Sequence, residues 1–249
     1  MSPAIRAELF KQRSARTATG LLATMTGLVL LVVLVHGFGL APQSFGTRSD
    51  QLDVLFGWGG VFGSLFAGLL GAMTVTSEFR FGTIRPTLLA NPARRRLITA
   101  KTAASMTLGS VYGLIAGALT AGIGAIALRH RGIEVRIDGV DVARIIIGST
   151  VAAALWAAVG VGVGAVVRSQ VPALVGLVVW SLFIENLLVG EIAGVGTIGR
   201  YLPGASARAI SGQQATSLLS PAAGLIVLVA YAALAAILGS TATTRRDVT

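Results

Sequence analysis

Of the 249 residues, 54% are apolar and 12% charged, with 32 glycines and a mean hydropathy of +0.80, a balance that excludes an ordinary soluble domain and suits a lipid bilayer. The excess of ten positive charges lies in short segments flanking apolar runs, as the positive-inside rule requires, and so argues against a nucleic-acid partner. With no cysteine, the chain has no disulfide, thiolate metal site or cysteine nucleophile.

The predicted fold class is all-α, a polytopic membrane protein with six transmembrane helices in one domain, 1–249. Residues 3–16 form a basic opening in which Ile5 and Leu9 stand one helical turn apart, the pattern of an interfacial helix. Span one follows at 17–35 and is longer than an ordinary signal-peptide core, with no small-x-small cleavage site after it. Four bases precede it, which holds the N-terminus inside. A polar stretch, 42–53, leads to span two at 54–76, long enough for the roughly 20 residues a helix needs to cross.

The stretch 77–101 is where this apolar chain turns densely charged. Arg80, Arg85, Arg94, Arg95, Arg96 and Lys101 accompany a single acid, Glu78, a density that favours a cytoplasmic loop. Within it Ser77 is placed to cap a short helix, Glu78 to sit at the positive end of its dipole, and Pro86 to end it after about two turns. Phe81, Ile84 and Leu88 give that helix an apolar edge.

Span three, 98–128, exceeds a perpendicular crossing and must tilt or project into the cytoplasm. Ser105, Gly109, Gly113, Gly117 and Ala121 recur along it every four residues. Such a strip lets another helix approach closely where lipid gives no hydrophobic drive for association; Gly59 and Gly63 do the same in span two. Spans four (142–167) and five (171–189) are predicted as an antiparallel pair closed by a tight inner turn at 168–170. Glu185 and Asn186 lie near the outer end of span five, and an acid at that depth is a candidate pathway or gate residue. Residues 190–220 are broken by Gly194, Gly196, Gly199, Pro203 and Gly204, which predicts short interfacial or re-entrant pieces. Span six, 221–240, precedes Arg245 and Arg246. This topology puts both termini in the cytoplasm, with thirteen of the twenty bases on inner segments. His36 and His130 stand alone, without the ligand spacing of a metal site, and no catalytic or cofactor-binding set stands out.

Glu78-x-x-x-Gly82-Thr83-Ile84, followed by Leu88-Leu89, Pro92, Arg94-Arg95 and Lys101, resembles the loop of permease subunits of type-2 ATP-binding-cassette exporters. Ala7-Glu8-Leu9-Phe10-Lys11 is similar to the connecting helix before the first span of that family. Many members carry further acids where this chain has Arg80 and Arg85. The resemblance implies that the loop, Glu78 to Arg85, is a coupling helix docked on a separate cytoplasmic ATP-binding-cassette ATPase. Glu78 would be the charged contact, Phe79 and Phe81 apolar knobs, Gly82 a close approach of backbones, and Thr83 and Ile84 the relay into spans two and three. A second permease half, identical or related, would complete the pathway, and ATP and Mg would be bound by the partner. The chain has no P-loop of its own, since its only lysines, Lys11 and Lys101, follow Phe and Ala. The implied setting is the bacterial cytoplasmic membrane and the implied cargo a hydrophobic or amphipathic compound such as a drug, antibiotic, peptide or lipid. A membrane scaffold or regulatory subunit that anchors a cytoplasmic partner, and a secondary transporter, are the alternatives.

Overall fold

The structure is a computed structural model that describes residues 3–83, 94–190, 196–215 and 217–245. It is helical, with no strand among the described residues. Six of its helices are long and apolar enough to cross a membrane, as a multi-pass membrane protein requires. The N-terminal helix α1 (Pro3–Ser14) precedes α2 (Arg16–Gly39), α3 (Arg48–Arg80), α4 (Arg94–His130) and α5 (Gly139–Val167). Then come α6 (Gln170–Leu188), the short α7 (Pro203–Ile210) and α8 (Pro221–Arg245). The six long helices coincide with the six predicted spans; α2, α3 and α4 run past them at both ends, α5 only at its start and α8 only at its end.

Two extensions have clear local causes. α3 starts at Arg48 instead of residue 54, because Thr47 and Asp50 form a reciprocal capping box there and a π turn, Leu52–Phe56, carries the helix onward. At its other end, the short helix expected to begin at Ser77 is instead the last turn of α3. Nothing from Thr76 to Arg80 breaks a helix, and termination waits for Gly82, whose φ of +67° only glycine adopts without strain. Pro86, Leu88 and the remainder of the expected loop helix lie outside the described residues.

The bundle is organised around α3. Some 83% of its apolar window is buried, against 17% for α6 and 22% for α2 and α8. α4 and α5 complete the centre, α2 leans on α4 and α3, α8 on α5, and α6 on α3. Small residues set these distances. A Cβ at Gly109 would stand 2.8 Å from the Ala153 carbonyl oxygen, and one at Gly117 3.1 Å from that of Ile145, both on α5. Gly113 lies directly on the Ser149 carbonyl between them. Gly63 of α3 faces Ala116 and Gly113 of α4, and Gly59 faces Thr120 and Ala116. Ser105 continues the strip but meets α1, donating to the Gln12 Oε1 at 3.3 Å.

The turn between α5 and α6 is as short as predicted. Arg168 takes a left-handed φ of 60°, which costs a non-glycine residue about 1–2 kcal/mol. Its guanidinium donates to the Ala242 carbonyl at 2.7 Å and lies over the Phe79 ring at 5.3 Å, contacts that offset the strain. In the 190–220 region, α7 packs inside the bundle against α8, α5 and α3, with Ala205 and Ala209 fully buried.

Candidate functional site

The end of the bundle that carries α1 and the 81–83 turn holds a buried cluster of charges. Lys101, two turns into α4, is 1% exposed, as is Glu78 in the last turn of α3; Glu8 on α1 is 8% exposed. The Lys101 ammonium donates to Glu78 Oε1 at 2.8 Å and to both Glu8 oxygens at 3.0 and 3.2 Å. It also reaches the Thr74 carbonyl at 3.4 Å, so its donor capacity is used. Lys11 of α1 donates to the same Glu78 oxygen from the solvent side. Two lysines thus neutralise two glutamates, and each buried charge has a partner, the condition for keeping ions out of water. Two polar atoms in the cluster are left without a hydrogen bond, Glu78 Oε2 and Gln12 Nε2.

This cluster joins three elements that are distant in sequence: the N-terminal helix, the end of α3 and the start of α4. It also adds a second face to α1, whose Ile5 and Leu9 stand one helical turn apart and are half-buried. The residues that α1 buries are Glu8 and Gln12, one turn apart, while Phe10 is 69% exposed. The signal that could have found the cluster is compositional. Both of the chain's lysines are in it, and every other base is arginine; an ammonium is the compact charge that three converging acceptors can surround.

The residues expected to form a docking loop are divided by this arrangement. Glu78, the expected charged contact, points into the bundle, and its ionic partners are Lys101 and Lys11 of its own chain. Phe79 packs beside Val75, Ile98, Val161 and Ala165. Arg80 bends back to donate to Gln170 Oε1 at 3.1 Å. The outward surface is the turn that follows: Phe81 is 70% exposed, Gly82 would have nothing within 4 Å of a Cβ, and Thr83 is exposed. Ile84 and Arg85 lie outside the described residues.

At the opposite end, where Arg48 grips the buried Asp141 at 2.5 and 2.6 Å, Glu185 is 1% exposed. Its carboxylate accepts the Gly204 N–H at 2.6 Å at the N-terminus of α7, where the helix dipole favours an anion. Arg208, one turn further along α7, donates to Asn186 Oδ1 at 3.0 Å. Glu185 lines a cavity of about 160 Å³ together with Asp53, Trp58, Ser64, Trp156 and Arg208. The Ser64 hydroxyl and the Trp156 indole N–H are buried there without partners, so the cavity has donors to spare for a small polar group. Glu185 was legible in sequence as an acid near a span end; its bond to Gly204 was not. Among the described residues no group of three or more His, Asp or Glu side chains is arranged to hold a metal. No protein-family model and no curated protein matches this sequence.

Proposed function

We propose that this chain is the membrane-spanning permease half of an ATP-driven exporter, taking mechanical work from a separate cytoplasmic ATPase through the 81–83 turn. Six apolar helices supply the membrane body. The single observation that carries the coupling is the Glu8–Lys101–Glu78–Lys11 cluster directly behind that turn. A push on Phe81 reaches Glu78 within one helical turn, and through Lys101 reaches α4 and α1 together. Because the buried Lys101, Glu78 and Glu8 charges are costly to unpair, the three elements move as a unit.

In this reading the docking role falls to Phe81, Gly82 and Thr83, while Glu78 serves as the inner anchor. Both termini and the 77–101 region face the cytoplasm of a bacterial cell, α1 lies at the interface, and α7 is a re-entrant element. Two halves, identical or related, would enclose the pathway, rocking between inward- and outward-open forms as the partner binds and hydrolyses ATP with its Mg. The apolar, small-residue character of the helices favours hydrophobic or amphipathic cargo.

One observation favours a second reading, a secondary transporter. Among the buried acids, Glu8, Glu78 and Asp141 are each in a close ion pair, whereas Glu185 faces a cavity with Asp53 and Arg208, as a coupling acid would. Affinity purification in mild detergent separates the two. The permease reading expects an ATPase to co-purify and the complex to hydrolyse ATP. Replacing Phe81 with Ala and Gly82 with Trp should abolish that association and leave membrane insertion intact. Movement of cargo by the purified polypeptide in proteoliposomes without any ATPase would overturn the permease reading.

A further inference from the structure

A second feature stands beside the charge cluster, a cavity of about 500 Å³ between α1, the start of α2, the end of α3 and Gln170. Its size lies in the range of roughly 300–1,000 Å³ usual for small-molecule sites. Its charge is not balanced. Lys11 and Lys101 neutralise Glu8 and Glu78 in its wall, whereas Arg16 and Arg80, which also line it, have no carboxylate within ion-pair distance among the described residues.

Two further donors converge on this space. α2 begins in the cavity wall at Ala15, which provides no side-chain cap, so the first N–H groups of a 24-residue helix point there with the positive end of the dipole. Gln12 is 6% exposed and lines the cavity. Its Oε1 is taken by Ser105, which leaves the Nε2 amide donor buried and unpartnered. Behind these donors Ala18, Leu70 and Met73 form an apolar floor.

We infer that this cavity binds the headgroup of an anionic phospholipid, with the phosphate held by Arg16, Arg80, the α2 N-terminus and the Gln12 amide, and the first acyl carbons on Leu70 and Met73. A basic notch between helices at a membrane surface is the arrangement that selects such headgroups. The inference rests on the membrane-spanning reading and not on the permease task.

The test uses the purified full chain, with dioleoyl phosphatidylglycerol and dioleoyl phosphatidylcholine as probes and glycerol 3-phosphate as the soluble arm. Native mass spectrometry counts retained lipid and thermal unfolding reads stabilisation. Phosphatidylglycerol is expected to be retained and to raise the unfolding temperature, phosphatidylcholine and glycerol 3-phosphate not. Arg16→Gln with Arg80→Gln should weaken retention at least tenfold, and Arg16→Lys with Arg80→Lys should recover part of it. Should the double Gln variant lose its monodisperse profile, each single Arg→Gln change, at an exposed position, is expected to give an intermediate loss. Equal retention of both lipids, undiminished retention by the Gln variants, or an equal response to glycerol 3-phosphate overturns the assignment. No ATPase is needed, so a negative result leaves the permease reading untouched, and failure of the ATPase to co-purify leaves this site standing.

Discussion

Replacing Lys101 with Met keeps the length and most of the volume of the side chain and removes only the ammonium. The two carboxylates it bridges, Glu8 and Glu78, are 8% and 1% exposed, so little of either is open to solvation. Glu78 keeps Lys11, but Glu8 has no other cation at ion-pair distance among the described residues. Breaking a buried ion pair from one side costs about 3–5 kcal/mol, because the remaining charge stays desolvated. At about 2–4 °C per kcal/mol for a chain of this size, the unfolding temperature should fall by roughly 6–20 °C. The three tryptophans give an intrinsic fluorescence readout of unfolding in detergent. The same reasoning predicts that Glu8→Gln, Glu78→Gln and Lys101→Met together unfold within a few degrees of the parent, since no buried charge is then unpaired and Lys11 is half-exposed. If Lys101→Met unfolds at the parent temperature, or the triple variant is no better than the single, the cluster is not held by charge pairing and the coupling argument loses its basis.

Other outcomes follow from the same geometry. Gly109→Ala puts a Cβ 2.8 Å from the Ala153 carbonyl oxygen and 2.9 Å from the Ala157 Cβ, so unfolding measurements should show a loss of about 1–3 kcal/mol. Gly122→Ala, with nothing within 4 Å, should instead gain up to about 1 kcal/mol from helix propensity. Glu185→Leu orphans the Gly204 N–H and should cost about 1–3 kcal/mol, whereas Glu185→Gln keeps an acceptor in place and should leave stability close to the parent. Transport that survives Glu185→Gln agrees with an ATP-driven permease; transport abolished by it, in a stable protein, agrees with a secondary carrier. Because the chain has no native cysteine, Phe81→Cys and Gln214→Cys can be labelled singly in intact cells and in inverted vesicles. They sit at opposite ends of the bundle and should react from opposite sides, Gln214→Cys from outside. Labelling of both from one side contradicts the topology.

Much of the helical layout was legible in the chain because lipid imposes a one-dimensional rule: long apolar runs become helices and charges mark their ends. The glycine strip on α4 was legible for a similar reason, since a four-residue repeat of small side chains is itself a statement about one helix face. Boundaries were less so. The run Ser77-Glu78-Phe79-Arg80 reads as the start of a loop helix when Glu78 is counted as a solvated charge, and as the end of α3 once Lys101 is known to neutralise it.

What the sequence determined by itself, then, was a helical body with six apolar helices and one densely charged stretch, because hydropathy and charge act locally along the chain. Only the tertiary structure decided which charges face one another. Glu8 and Lys101 are 93 residues apart, as are Arg48 and Asp141, and Glu185 finds Gly204 across a break in the helical pattern. No periodicity encodes such pairings. They arise because a low-dielectric interior leaves a buried ion no alternative to the partner that helix packing brings within reach.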